Sequence, residues 1–241
     1  AKNKVLLIQS QSFLEQLVQW LGALYRCYIP MVCHNEMDTE YIDELAHIIA
    51  DEGVLPLTDF GVLTSGTTGR PKPLWRKEES WREFFDIQNN IFHINEDTKI
   101  FLQGSFSFTG VSNMVVAVLW AGGTIVTTSS LRPTRWIELL ERYEVDHIYA
   151  LPTKLRLLIR HCKCKLSAIN YIIAGSQVLD RHLMEQLQQL CPNMEFILYY
   201  GAYELNYITY CTGKEWLDRE GTVGRPFPMV RIKADDGVIY V

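Results

Sequence analysis

Ten consecutive residues, Leu63-Thr64-Ser65-Gly66-Thr67-Thr68-Gly69-Arg70-Pro71-Lys72, restrict the local structure more than any other stretch of the chain. They follow Phe60-Gly61-Val62-Leu63, a short apolar run that reads as the end of a strand. Four hydroxyls (Thr64, Ser65, Thr67, Thr68) and two glycines (Gly66, Gly69) are packed into the loop, and Lys72 closes it. Backbone N–H groups and hydroxyls in such a turn form a concavity for anions, and the lysine adds a full positive charge. Gly and Ser/Thr also mark ordinary surface turns. The density of hydroxyls and the closing Pro-Lys favour a polyphosphate guest instead. No Gly-Lys-Ser/Thr follows at the spacing of a Walker-type loop.

Around the loop, apolar runs alternate with helical periodicities. Strands are predicted at 5–8, 28–32, 60–63, 73–76, 99–102, 124–128, 147–151, 170–174 and 195–199. Ser12 reads as a cap for a helix carrying Phe13, Leu14, Leu17, Val18 and Leu21, and Asp38 or Thr39 caps another carrying Tyr41, Ile42, Leu45, Ile48 and Ile49. Further helices are predicted at 78–90, 114–120, 136–143, 152–161 and 181–190, with 105–112 as a turn and 221–241 as glycine-punctuated strands. This alternation predicts an α/β fold of mostly parallel sheets packed with helices, ending in a small β-rich segment. The expected organisation is one domain, 1–241, in two subdomains of roughly 1–170 and 171–241.

A net charge of −5 argues against a general nucleic-acid binder. No apolar run approaches the roughly 20 residues that span a bilayer, and no signal peptide opens the chain. Cys27, Cys33, Cys162, Cys164, Cys191 and Cys211 are scattered, which is expected of reduced thiols in a cytoplasmic protein. His161-Cys162-Lys163-Cys164 lacks the second ligand pair of a metal site. Lys154, Arg156, Arg160, Lys163 and Lys165 form a basic cluster, read as a solvated helix face, with contact to an anionic cosubstrate as the alternative.

Three later stretches sit where ligands gather in α/β folds, beyond strand ends. Tyr199-Tyr200-Gly201-Ala202-Tyr203-Glu204 brings a carboxylate, the hard oxygen ligand that Mg²⁺ takes. Ala174-Gly175-Ser176-Gln177-Val178-Leu179 is a polar turn after a strand. Ser105-Phe106-Ser107-Phe108-Thr109-Gly110 combines aromatics with hydroxyls. Its aromatics, with Tyr203, suit an acyl or aryl pocket or, equally, plain core.

The loop at 63–72 resembles the Thr-Ser-Gly-Thr-Thr-Gly-x-Pro-Lys signature of the adenylate-forming superfamily, acyl-CoA synthetase-like branch. Residues 199–204 resemble that family's Tyr-Gly-x-Thr-Glu motif, 174–179 its glycine-rich turn, and 221–226 its Gly-x-Val-Gly-x-Pro motif, which is expected to be structural. The resemblance implies ATP bound through Thr64, Ser65, Gly66, Thr67, Thr68, Gly69 and Lys72. Gly175, Ser176 and Gln177 would meet one face of adenine, and Tyr199, Tyr200, Gly201, Ala202 and Tyr203 the other side of the nucleotide, with Tyr200 stacking on the ring. Glu204 would hold magnesium, and Lys72 and Glu204 would be the catalytic pair. Tyr203 replaces the family's phosphate-contacting Thr. Phe106, Ser107, Phe108, Thr109 and Gly110 take the place of the acid-substrate loop. Ser107 stands where many CoA ligases carry a His, and uncharged Thr109 stands where amino-acid-activating domains carry an Asp. A fatty or aryl acid is therefore expected over an α-amino acid. The implied reaction is ATP-dependent formation of an acyl-adenylate, then a thioester with CoA. The alternatives are loading of a carrier protein, or nucleotide binding without catalysis. The chain opens on Ala1 and stops at Val241, before the family's small C-terminal lid lobe, so it is expected to be a large N-terminal domain that makes adenylate poorly on its own.

Overall fold

A computed structural model describes residues 4–64, 71–236 and 238–241 of the 241-residue chain. In chain order the elements are β1 (Val5–Ile8), α1 (Phe13–Tyr25), β2 (Ile29–Val32), α2 (Thr39–Glu52), β3 (Phe60–Leu63), β4 (Pro73–Arg76), α3 (Glu79–Ile91), β5 (Lys99–Leu102), α4 (Thr109–Trp120), β6 (Thr124–Thr127), α5 (Pro133–Arg142), β7 (His147–Tyr149), α6 (Pro152–His161), β8 (Tyr171–Gly175), α7 (Arg181–Leu190), β9 (Glu195–Ala202), β10 (Asn206–Thr212), α8 (Gly213–Asp218), β11 (Arg225–Pro226), β12 (Lys233–Asp235) and β13 (Val238–Tyr240). The mixed α/β architecture with parallel sheets is the one expected from the alternation. No described helix is long and apolar enough to cross a membrane.

The chain divides into two compact units, Ala1–Asp86 with Gly104–Ala117, and Ile87–Gln103 with Val118–Val241. The chain crosses between them within α3, between β5 and α4, and within α4, whereas the sequence suggested a single boundary near residue 170.

The first unit is built on a sheet ordered β1-β2-β3-β4, parallel across its first three strands and antiparallel at β4. Both early helices start where the sequence places caps. Ser12 Oγ accepts from Glu15 N–H at 3.4 Å, and Asp38 Oδ1 from Tyr41 N–H at 2.7 Å, satisfying N–H groups that a first turn leaves orphaned. Met31, Leu45 and Leu63 form one buried cluster. Trp20 meets Phe60 and Phe106 edge-on at 5.6 and 5.7 Å and stacks on Trp81 at 6.5 Å.

The second unit carries a seven-stranded sheet ordered β11-β10-β9-β8-β7-β5-β6. Strands β6 to β9 pair in parallel through β5 and β7, while β10 and β11 add antiparallel. Its core runs from Phe101 and Trp136 through Leu155, Ile172, Met184 and Leu187 to Trp216. A second aromatic cluster joins Phe92, Tyr199, Tyr207 and Phe227, with ring centroids 4.9 to 6.1 Å apart.

The structure differs from the sequence reading at several places. Helix α4 begins at Thr109, so Thr109 and Gly110 belong to its first turn rather than to a loop running to residue 112. β9 continues past Tyr199 to Ala202, because β10 pairs with it from Asn206↔Ala202 to Thr212↔Ile197. Both β10 and α8 are additions to the sequence expectation. β7 ends at Tyr149 because Pro152 starts α6. In the 221–226 stretch Gly221 and Gly224 have φ of +83° and +87°, and a Cβ on Gly224 would lie 2.0 Å from Tyr210 O, so this motif is structural as expected.

Candidate functional site

In the first unit, the β3–β4 pair holds the ends of the glycine-hydroxyl loop. Leu63 faces Pro73 in register. Thr64 N–H donates to Lys72 O at 3.0 Å, and Lys72 N–H donates to Thr64 Oγ1 at 3.0 Å. Tyr41 of α2 donates its hydroxyl hydrogen to Pro71 O, bracing the same stem. The Lys72 side chain is exposed, and its ammonium has no partner among the described residues. Ser65, Gly66, Thr67, Thr68 and Gly69, all expected on the phosphates, lie outside the described residues, as does Arg70.

The turn before α4 is held from below by α1. Gln16 accepts the Phe106 N–H at 3.1 Å. Phe106 is buried against Phe13 and Trp20, so its ring is core rather than pocket wall. Ser107 is buried and its hydroxyl lies 2.9 Å from His34 Nδ1. Phe108 is 39% exposed and stacks on the His34 ring at 5.0 Å. Thr109 is buried in the first turn of α4, with Gly110 beside it. His34 was missed by sequence reasoning. Its signal was available: it stands directly past the apolar β2 run, at the carboxyl edge where site residues collect. Burial lowers its pKa, opposed by the Thr64 backbone and by the Glu36 carboxylate.

In the second unit, neighbouring strands β8 and β9 bring two predicted stretches to one sheet edge, with Gly175 in register with Tyr199. A Cβ on Gly175 would come within 2.6 Å of the Tyr199 ring, so the missing side chain makes room for that tyrosine. Tyr199 is buried and its hydroxyl lies 2.6 Å from that of Tyr149, with Ser176 as a further partner; burial raises both phenol pKa values. Ser176 turns the chain with φ +64°, and Gln177 Oε1 accepts the Thr153 N–H at 3.2 Å at the start of α6. Lys154 in the same turn donates to Gln103 O, and burial lowers its pKa, so this lysine of the basic cluster is partly withdrawn from solvent.

Residues 199–204 form the end of β9 and the tight turn into β10. Tyr200 is 51% exposed, leaving a flat ring free to stack, while Gly201 and Ala202 pair with Tyr207 and Asn206. Leu205 N–H donates to Ala202 O at 3.2 Å and Asn206 takes φ +66°, the geometry of a three-residue hairpin loop closed by a left-handed residue. Tyr203 and Glu204 ride in that loop. Burial and the neighbouring Glu204 charge raise the Tyr203 pKa. The Glu204 carboxylate is exposed, with no hydrogen bond or ion pair to another described residue. An uncommitted carboxylate fits a hard cation, and an uncommitted ammonium fits a phosphate. No cluster of three His, Cys, Asp or Glu side chains occurs among the described residues, so a metal here would need oxygens from its ligand or from water.

A family model described as "AMP-binding enzyme" matches residues 60–237. An uncharacterized acyl-CoA ligase of Bacillus subtilis is 28% identical over 170 residues, covering 70% of this chain and 35% of that protein. O-succinylbenzoate coenzyme A synthetase of Bacillus subtilis, solved with ATP and magnesium ion, superposes with a TM-score of 0.82 at 16% identity, covering 99% of this chain and 58% of that one. The inhibitor-bound N-terminal domain of FACL13 from Mycobacterium tuberculosis gives 0.81 at 18%, covering 99% and 73%. At these identities the structural matches establish the shared fold.

Proposed function

Because the chain belongs to the AMP-binding enzyme family, we propose that it is the nucleotide- and acid-binding part of an AMP-forming acid–thiol ligase. In the proposed reaction a carboxylate oxygen attacks the α-phosphorus of ATP and pyrophosphate leaves. A thiol, that of CoA, then attacks the acyl carbon, AMP leaves, and the thiol proton goes to solvent. Such chemistry asks a protein mainly for positioning and charge neutralisation.

The observation that carries the reading is the closed Thr64–Lys72 stem, which holds the Lys72 backbone beside the carboxyl end of β3, its ammonium having no partner among the described residues. Lys72 and the loop hydroxyls at 64, 65, 67 and 68 would hold the triphosphate tail. Tyr200 would stack on adenine, with the Gly175–Gln177 turn on its other face. Glu204 would hold magnesium, which when bound neutralises charge on the triphosphate. Ser107, Phe108 and Thr109 would meet the acid. Thr109 offers no carboxylate to an α-ammonium, and a buried unpaired ammonium costs several kcal/mol, which favours a fatty or aryl acid.

The test is pyrophosphate exchange into ATP by the full-length enzyme across fatty, aryl and α-amino acids, followed by trapping with CoA or a carrier domain. Exchange with the first two classes and not the third supports the reading. ATP binding without exchange on any acid would replace it with a nucleotide-binding module.

A further inference from the structure

His34 ends a buried hydrogen-bonded chain that starts on α1. Gln16, fully buried, donates from Nε2 to Ser10 O at 2.7 Å and to Asn35 Oδ1 at 2.9 Å. Ser105 Oγ donates toward Gln16 Oε1 and Asn35 Oδ1 at 3.3 and 3.4 Å. Ser107 donates both its N–H, at 3.2 Å, and its O–H, at 2.9 Å, to Ser105 Oγ. With the Ser107 hydroxyl hydrogen assigned to Ser105, the hydrogen of its 2.9 Å contact with His34 Nδ1 comes from the ring. On the neutral ring Nε2 is then a bare lone pair. His34 is 8% exposed, and its buried Nε2 has no partner at hydrogen-bonding geometry among the described residues, although the Thr64 backbone approaches the ring and favours its protonated form. A buried polar atom without a partner costs about 1–3 kcal/mol and calls for an explanation.

The surroundings say what kind of group would relieve it. His34 follows β2, whose parallel neighbour β3 ends at the Thr64 stem, so the ring stands at the carboxyl edge of the first sheet. The Thr64 backbone and Glu36 favour the imidazolium. The preceding Cys33 thiol is pushed up to about 11 by burial and stays uncharged. Gln16 on α1 and Ser105, Ser107 and Phe108 on the turn carry no charge. Lys72 is the cation across the stem from Thr64.

We propose that His34 is a ligand-binding residue that takes up a proton from solvent when an anionic oxygen, from a carboxylate or a phosphate, reaches Nε2. Nδ1–H then keeps the Ser107 turn in place while Nε2–H donates to the ligand. The identity of the two candidate anions rests on the acid-activation reading; the orphaned nitrogen does not.

The test follows the imidazole nitrogens by NMR in ¹⁵N-histidine-labelled protein between pH 5 and 9, alone, with ATP and magnesium, with inorganic pyrophosphate, and with octanoate or benzoate. The free ring should be the Nδ1–H tautomer with a midpoint below 6.5. One arm should raise that midpoint by about one to three units, as an opposite charge at close range does. A shift with the phosphates places a phosphate oxygen at Nε2, and one with the acids places a carboxylate there. Calorimetry of the active anion at pH 7.5 in buffers of different ionisation enthalpy should then show net proton uptake, a fraction of a proton for a one-unit rise and approaching one proton for a three-unit rise. His34→Asn, whose amide N–H can still meet Ser107, should abolish uptake and weaken that anion about tenfold or more, the loss of one charged hydrogen bond. An Nε2–H tautomer in the free protein, a midpoint that none of the anions moves, or an Asn variant that binds like the parent would each overturn the proposal. The wild-type titration decides even if the variant does not fold. Intact pyrophosphate exchange with an unmoved His34 sinks this proposal alone, whereas a His34 shift without exchange sinks the ligase reading alone.

Discussion

Gly175→Ala turns the packing of the second unit into a measurable quantity. The new methyl would lie 2.6 Å from Tyr199 Cζ and 2.8 Å from both ring Cε atoms, closer than carbon atoms approach. The ring cannot retreat freely. It lies 4.9 Å from the Tyr207 ring and 6.1 Å from that of Phe92, and its hydroxyl is tied to Tyr149 at 2.6 Å. Overpacking of this kind costs about 1–3 kcal/mol. Displacing the ring also breaks the Tyr199–Tyr149 bond in a buried setting, about 1 kcal/mol more. The expected loss is about 3 kcal/mol, or a Tm lower by roughly 6–12 °C for a unit of this size. Thermal and urea denaturation followed by near-ultraviolet circular dichroism, which reports tyrosine packing, would read both effects. The double variant Gly175→Ala/Tyr199→Leu should lose less than the sum of the single changes, since removing the ring removes the collision. A Gly175→Ala protein within about 0.5 kcal/mol of the parent, the range of ordinary surface changes, would refute the reasoning.

Other consequences are more local. Thr212→Ala removes a capping box in which Thr212 and Glu215 satisfy each other's backbone N–H groups, so denaturation should show a loss of about 1 kcal/mol. Gly224→Ala should cost more, about 2 kcal/mol or above, because a left-handed φ of +87° is combined with a 2.0 Å approach to Tyr210 O. For His34 the folded pKa lies below the unfolded value, so the unfolded chain binds the proton first. Its contribution is complete above pH 6.5 and declines as pH falls through that value. Urea midpoints between pH 8 and 5 should therefore fall more steeply in the parent than in His34→Asn.

Much of this fold is legible in the sequence because periodicity and caps agree. Ser12 and Asp38 stand at helix starts, and the apolar runs at 60–63 and 99–102 become β3 and β5 with unchanged bounds. The β9–β10 hairpin is not legible for a specific reason. Its loop, Tyr203-Glu204-Leu205, contains none of the Gly, Asn-Gly or Asp-Gly signals of a tight turn, and the strained position falls on Asn206. Helix α8 did carry a sign, the Thr212-Gly213-Lys214-Glu215 spacing of a capping box, at the end of an unexpected strand. α4 begins early because Ser112 bonds back to Phe108 and Thr109, drawing a hydroxyl-rich stretch into a helix. In the candidate site, local motifs located the stem and the hairpin carboxylate. They could not reveal that Phe106 is core, that Gly175 accommodates Tyr199, or that an imidazole reaches Ser107 from a residue 73 positions earlier. Those facts depend on long-range packing, which spacing along one chain does not encode.

The central claim, that the Lys72 ammonium at the mouth of the stem grips a triphosphate, is tested most directly by calorimetric titration of ATP with magnesium into the parent and Lys72→Ala proteins. A charged hydrogen bond of about 1.5–3 kcal/mol predicts affinity lower by about ten- to a hundredfold in the variant. Equal affinities for the two proteins would contradict the account.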